Sequence, residues 1–164
     1  CREVAQDRLF LSTVRAKDSA EALLRVLALG VEPGEFAPVV KAVLNQRLVR
    51  KLCDACKEAY TPTPQILKQL GIPEGRIQAF HRPPQQPEEV CEQCAGIGYK
   101  GRTAIFELLV VGETVRQVLT TSPKLDLLRK AARKDGMRSL QEEGILLVAK
   151  GVTSLPELMR VLKQ

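Results

Sequence analysis

"CEQCAGIGYKGR" occupies Cys91–Arg102 and sets two cysteines three positions apart, ahead of three glycines and two basic residues. The same C-x-x-C spacing occurs upstream in "CDAC", Cys53–Cys56, with 34 residues between the two pairs. A C-x-x-C turn lets both sulfurs face one point. Two such turns meeting place four thiolates around a tetrahedral Zn²⁺ at about 2.3 Å each. Three readings compete: unrelated reduced cysteines, a disulfide or redox pair, and a four-cysteine structural zinc site. Nothing suggests secretion, and a thioredoxin-like motif would be single and follow a strand, so the zinc reading leads, with Cys53, Cys56, Cys91 and Cys94 as ligands. The gap between the pairs exceeds that of the commonest zinc ribbons, so the pairing is informative about metal and less so about fold. Gly96 and Gly98 allow a tight turn after Cys94 that aims N–H groups at sulfur. A phosphate loop would want GxxxxGK[ST], which the chain lacks. A site closed by four thiolates has no open position for activating water, so its expected role is to clamp residues 53–56 to 91–94.

The rest of the composition does not demand this clamp. A chain of 164 residues can bury an ordinary core without metal. Aromatic residues make up 4% and Trp is absent, which argues against stacking of nucleic-acid bases; no direct nucleic-acid contact is expected. The net charge of +6 is compatible with nucleotide, nucleic acid or acidic lipid and selects none of them. Arg50, Lys51, Lys57, Lys100 and Arg102 lie close in sequence to the cysteines and would favour thiolates. The only histidine, His81, sits in a proline-rich stretch and adds nothing to four better ligands. No apolar run reaches the length of a membrane span, and there is no signal peptide. The sequence opens on Cys1 and reads as the C-terminal part of a longer protein, with Cys1 a former core residue.

"RLFLST" (8–13) is expected as a short buried strand. "DSAE" (18–21) has the form of a capping box, Asp18 as N-cap and Glu21 reaching back. Ala20, Leu23, Leu24 and Leu27 follow at helical spacing, and Gly30 supplies the stop. A second helix is expected after Pro33, with Phe36, Val39, Val40, Val43 and Leu44 inward, then a short strand in "RLVRKL" (47–52). Residues 57–90 carry six of the ten prolines. A short helix is expected from Pro64 to Leu70, and "RPPQQPEEV" (82–90) as an extended arm. "RTAIFELLVV" (102–111) is β-rich. Helices are then expected at Glu113–Thr120, Lys124–Lys134 and Ser139–Lys150, and after Ser154 with Pro156 in the first turn.

The segments "LALGVEP", "VLNQRLVRKLCDACKEAY", "CEQCAGIGYKGRTAIFELLVV" and "AARKDGMRSLQEEGILLVAKGVTSLPELMRV" together resemble the C-terminal portion of the type II secretion / type IV pilus-assembly ATPases, a superfamily of hexameric traffic ATPases. The resemblance spans nearly the whole chain, and the two C-x-x-C pairs followed by G-x-G-Y-x-G-R-x-A-I-F-E are particular to its assembly-type members. It implies an α/β fold: a partial RecA-like edge (1–52), a tetracysteine zinc-binding module with a Pro-rich insert (53–101), and a β-run with an α-helical C-terminal subdomain (102–164). It implies a cytoplasmic motor at the inner face of the cytoplasmic membrane, a homo-hexamer working with an inner-membrane platform protein and its cytoplasmic recruiting subunit. ATP and magnesium would bind the parent protein, while this chain alone, without a phosphate loop or acidic strand end, would not hydrolyse ATP. Where the family carries a histidine box, the chain reads Ser12-Thr13-Val14-Arg15-Ala16-Lys17-Asp18; Arg15 can face a phosphate but cannot relay a proton near neutral pH. Arg47 matches a family arginine near the nucleotide or subunit interface. Both arginines also read as plain surface charge. Glu107 matches a frequent family glutamate and is expected to pair with Arg102 or to end a strand. The alternative is a stand-alone zinc-dependent module binding protein or nucleic acid.

Overall fold

The computed structural model describes residues 8–73, 75, 77–86 and 89–163. The reading of Cys1, and the Pro87–Glu88 part of the expected arm, lie outside the described residues. In chain order the elements are α1 (Ser19–Leu27), α2 (Pro33–Val39), β1 (Ala42–Leu52), β2 (Glu58–Tyr60), α3 (Pro64–Gln69), β3 (Phe80–Arg82), β4 (Tyr99–Val110), α4 (Glu113–Thr121), α5 (Leu125–Lys134), α6 (Leu140–Ala149) and α7 (Leu155–Leu162). They form two compact units, each assembled from two separated stretches: Cys1–Asn45 with Phe106–Ser139, and Gln46–Ile105 with Leu140–Gln164. The sheets are two-stranded, β1 with β4 and β2 with β3. No helix among the described residues is long and apolar enough to cross a membrane.

In the first unit, α1 starts where the Asp18 carboxylate accepts the Glu21 N–H at 2.8 Å. Glu21 reaches back one residue further than a capping box requires, accepting the Lys17 N–H at 2.9 Å. The buried face is formed by Ala20 and Leu23, and the chain leaves the helix through Gly30 at φ +87°. The second helix ends earlier than its apolar spacing predicts. Val40 is already extended, and Val43 and Leu44 belong to β1, with Leu44 exposed. Val40 and Val43 are β-branched and suit an extended backbone, and Val43 lies in the strand that pairs with β4. Leu23, Phe36, Leu109, Leu119, Leu128 and Ala132 meet in one apolar core. The segment "RLFLST" is not a strand: Leu9, Phe10 and Leu11 are 81%, 68% and 83% exposed. A strand needs a ladder partner, and among the described residues this segment is in neither of the two sheets.

In the second unit, Val49, Phe80, Ile105, Val148 and Leu158 anchor a separate core. β2 and β3 run antiparallel with Glu58 opposite Arg82 and Tyr60 opposite Phe80. The two rings meet edge to face at 6.1 Å. α6 and α7 pack closely because Gly144 has no side chain; a Cβ there would lie 2.1 Å from a Leu158 methyl. β1 ends at the knuckle, where the Leu52 N–H donates to Val152 O at 2.9 Å and the Cys53 N–H to Gly98 O at 3.0 Å.

Candidate metal centre

The four cysteines of the two C-x-x-C turns converge in the second unit, their sulfurs all within 4.8 Å of one another. The Sγ atoms of Cys53 and Cys91 are 3.9 Å apart, and those of Cys56 and Cys94 are 3.7 Å apart. Sulfurs bonded at 2.3 Å to one tetrahedral ion would be separated by about 3.8 Å. The donor set and its spacing therefore suit a metal ion, and four sulfurs complete its coordination.

Each turn is built locally. In the first, the Cys56 and Lys57 N–H groups both donate to Cys53 O, at 3.3 and 3.0 Å. In the second, the Gly96 N–H donates to Cys91 O at 3.3 Å and the Ile97 N–H to Cys94 O at 3.1 Å. Gly98 then donates its N–H to Cys94 Sγ at 3.2 Å, which is the role expected for these glycines. Its φ of +75° favours glycine, and a Cβ would come 2.5 Å from the Pro83 side chain. The proline arm thus packs directly against the second knuckle.

The sulfurs are electrostatically interdependent. Burial pushes the Cys56 thiol up to about 12, helped by the neighbouring sulfurs of Cys94, Cys91 and Cys53. Burial also works against the Cys94 thiolate, but the Gly98 N–H and the other three thiols outweigh it and hold that group down to about 7. Two like charges 4 Å apart repel by about 4 kcal/mol at an effective dielectric of 20, so four thiolates require a cation among them. Two of the nearby basic side chains are engaged elsewhere. Lys57 donates to the Asp54 carboxylate at 2.6 Å and to Gly151 O at 3.3 Å. Arg50 lies over the Tyr99 ring at 4.2 Å and binds Glu157.

Glu157 is the feature sequence reasoning missed. It is fully buried and accepts from Arg50 Nη2 at 2.7 Å, from the Arg50 N–H at 3.1 Å, and from Arg160 Nη2 at 2.8 Å. The hydrogen bonds from Arg160 above all, and those from Arg50, outweigh burial and hold its carboxyl down to about 2. The sequence did carry a signal: Ser154-x-x-Glu157 has capping-box spacing. Ser154 does cap α7, accepting the Glu157 N–H at 3.2 Å, but the glutamate carboxylate turns to Arg50 instead of back to Ser154. Ser154 Oγ also lies 2.6 Å from the Tyr99 hydroxyl.

The remaining candidates fall elsewhere. Arg15 is exposed in the first unit, just before α1. Arg47, on β1 in the second, donates Nη1 to Val161 O in the last turn of α7, a favourable place for a cation. Glu107 does not end the strand or pair with Arg102. It is buried within β4, and its Oε1 accepts the Ser19 N–H at the start of α1 at 2.7 Å. His81 is not among the clustered ligands; its Nδ1 faces Gly151, where a Cβ would come within 2.6 Å.

Residues 7–160 match the family of Type II/IV secretion system proteins. The chain is 37% identical over 151 residues to the type IV pilus assembly ATPase PilB of Thermus thermophilus, covering 92% of this chain and 17% of that protein. It is 33% identical over 156 residues to the type II secretion system protein E of Pseudomonas aeruginosa, covering 95% of this chain and 30% of that one. It is 35% identical over 155 residues to the protein transport protein HofB homolog of Escherichia coli, covering 94% and 32%. The chain therefore spans less than a third of the length of these relatives.

Proposed function

We propose, since the chain belongs to the Type II/IV secretion system protein family, that it is part of a cytoplasmic ATPase powering type II protein secretion or type IV pilus assembly. Its own contribution is a zinc-clamped arm with a helical C-terminal region. The observation that carries this reading is the coincidence of a family match across residues 7–160 with four sulfurs all within 4.8 Å of one another. Cys53, Cys56, Cys91 and Cys94 would hold Zn²⁺ structurally; the ion supplies charge neutralisation and a fixed crossing point, and no catalytic step.

A partial RecA-like edge is supported by β4, which is apolar on both faces: Ile105 and Leu109 are buried, whereas Phe106, Leu108 and Val110 are exposed. A strand of that kind suits a sheet covered on both sides, as in α/β folds. In the assembled enzyme, a homo-hexamer at the inner face of the cytoplasmic membrane, Arg15 and Arg47 would face nucleotide or a subunit boundary. An inner-membrane platform protein and its cytoplasmic recruiting subunit would be the partners. ATP and magnesium would be bound by the whole protein, since this chain has no GxxxxGK[ST] loop.

The test has two arms. Metal analysis of residues 1–164 purified without chelator should give one zinc per chain, and cobalt substitution should give a tetrahedral tetrathiolate spectrum. ATP turnover by the same material should be absent. Chains free of metal would overturn the zinc clamp, and turnover by this chain alone would overturn the division of labour.

A further inference from the structure

The four cysteine residues differ in exposure in a way that pairs them. Cys53 and Cys94 are buried, at 0% and 6% exposure, whereas Cys56 and Cys91 are partly exposed. Each partly exposed cysteine has a buried one across the knuckles: Cys91 opposite Cys53 with sulfurs 3.9 Å apart, and Cys56 opposite Cys94 at 3.7 Å. The arrangement is that of an accessible, oxidisable thiol beside a sheltered resolving thiol, present twice. The knuckles are held in register independently of the sulfurs, by the Cys53 N–H on Gly98 O at 3.0 Å.

We infer that the cluster is a peroxide-modification site whose oxidation product is a pair of cross-knuckle disulfides, Cys53–Cys91 and Cys56–Cys94. This rests on the reading of the four cysteines as metal ligands. In the first step the sulfur of Cys91 or Cys56 attacks the O–O bond of hydrogen peroxide; it gains oxygen as a sulfenic acid, and the other oxygen leaves as water. In the second, the buried partner sulfur attacks the sulfenic sulfur, the S–S bond forms, and the hydroxyl leaves as a second water. For four metal-bound thiolates the balance is two peroxides and four protons consumed, two disulfides and four waters formed, and one divalent ion released. Each S–S distance must close to about 2.05 Å, a movement of under 2 Å that side-chain rotation can supply. The consequence is functional: the covalent links replace the metal at the same crossing point, so residues 57–86 stay clamped after the ion has left.

The experiment uses metal-loaded residues 1–164 with hydrogen peroxide, following zinc release with a chromogenic chelator and mapping disulfides without reduction. The sequence makes the map decisive. Cleavage before Asp54 separates Cys53 from Cys56, and cleavage after Glu92 separates Cys91 from Cys94. The expected result is zinc release in step with peptides linked 53–91 and 56–94, and proteolysis of residues 57–86 no faster than before oxidation. Links within each turn, 53–56 and 91–94, would overturn the inference, as would sulfinic acids without disulfides, retention of metal, or an arm that opens on oxidation. Metal content measured before peroxide is added separates the two claims: a metal-free starting protein sinks the zinc reading, while the disulfide map of its thiols still judges the pairing.

Discussion

In the first compact unit, carboxylates serve helix starts: Asp18 caps α1, Asp135 serves the first turn of α4, and Glu107, buried in β4, accepts the Ser19 N–H. In the second unit the corresponding groups are four clustered sulfurs and the buried Glu157 between two arginines. The elements explain the contrast. The first unit holds helices of nine, seven, nine and ten residues whose apolar faces form one core. The second must also order residues 57–86, where strands of three residues and a helix of six cannot stand by themselves. Helix caps and apolar faces dominate the former, to which Glu107 adds a bond reaching 88 residues; long-range bonds of definite chemistry dominate the latter.

The strongest test of this contrast is removal of the metal proposed for the four sulfurs. Chelation, or Cys53→Ser, should forfeit binding free energy on the order of 10 kcal/mol that is coupled to local folding. Native-state amide exchange should show protection lost across residues 57–86, with the amides of α4 and α5 unchanged. Equal loss in both units would break the comparison.

Next in size is Glu157→Ala, which strips two guanidinium groups of their buried partner. Such a loss costs about 3–5 kcal/mol, and the low end is expected because both arginines retain access to water. Urea titration of the second unit reads it. The acid limb supplies an independent check. Glu157 is held at about 2, against 4.5 for an ordinary glutamate. Its contribution is therefore complete above about pH 4.5 and drains away as pH falls towards 2, reaching a loss of about 3 kcal/mol. Glu157→Gln should remove that part of the pH dependence; an unchanged acid profile would show that the carboxylate is not stabilising the unit.

Gly144→Ala comes third. The added methyl would meet Leu158, itself buried, and overpacking costs about 1–3 kcal/mol, partly offset by the better helix propensity of alanine. A companion Leu158→Ala change should relieve the clash, giving a positive coupling in a double-mutant cycle.

What could be read from the sequence follows the same division. The cysteine cluster was legible because metal ligation needs particular atoms at a particular spacing. Most helices were legible because caps and periodicity are local: Asp18, Gly30, Pro64 and Ser154 fall where expected. The misjudged places are those decided by distant chain. "RLFLST" has strand character but no strand beside it, and Val43–Leu44 joined β1 because β4 pairs there. Glu107 went to the start of α1, and Glu157 to an arginine 107 residues away. Only Arg160, one helical turn on from Glu157, could be read locally; the partners Arg50 and Ser19 could not.

The smallest effect tests the capping in the first unit. α4 starts at Gly112, which has no side chain to cap it, and Asp135 at the end of α5 fills the role by accepting the Val115 N–H at 3.1 Å. Gly112 is confined by this arrangement, since a Cβ there would lie 2.6 Å from Asp135 Oδ2. Asp135→Ala should cost about 1 kcal/mol, the usual value of an N-terminal cap. Gly112→Ser alone should also destabilise, through the clash. Together they should cost less than the sum, because the serine can cap the turn once the carboxylate is gone. Additive losses in thermal or urea unfolding would mean that Asp135 acts by some route other than capping.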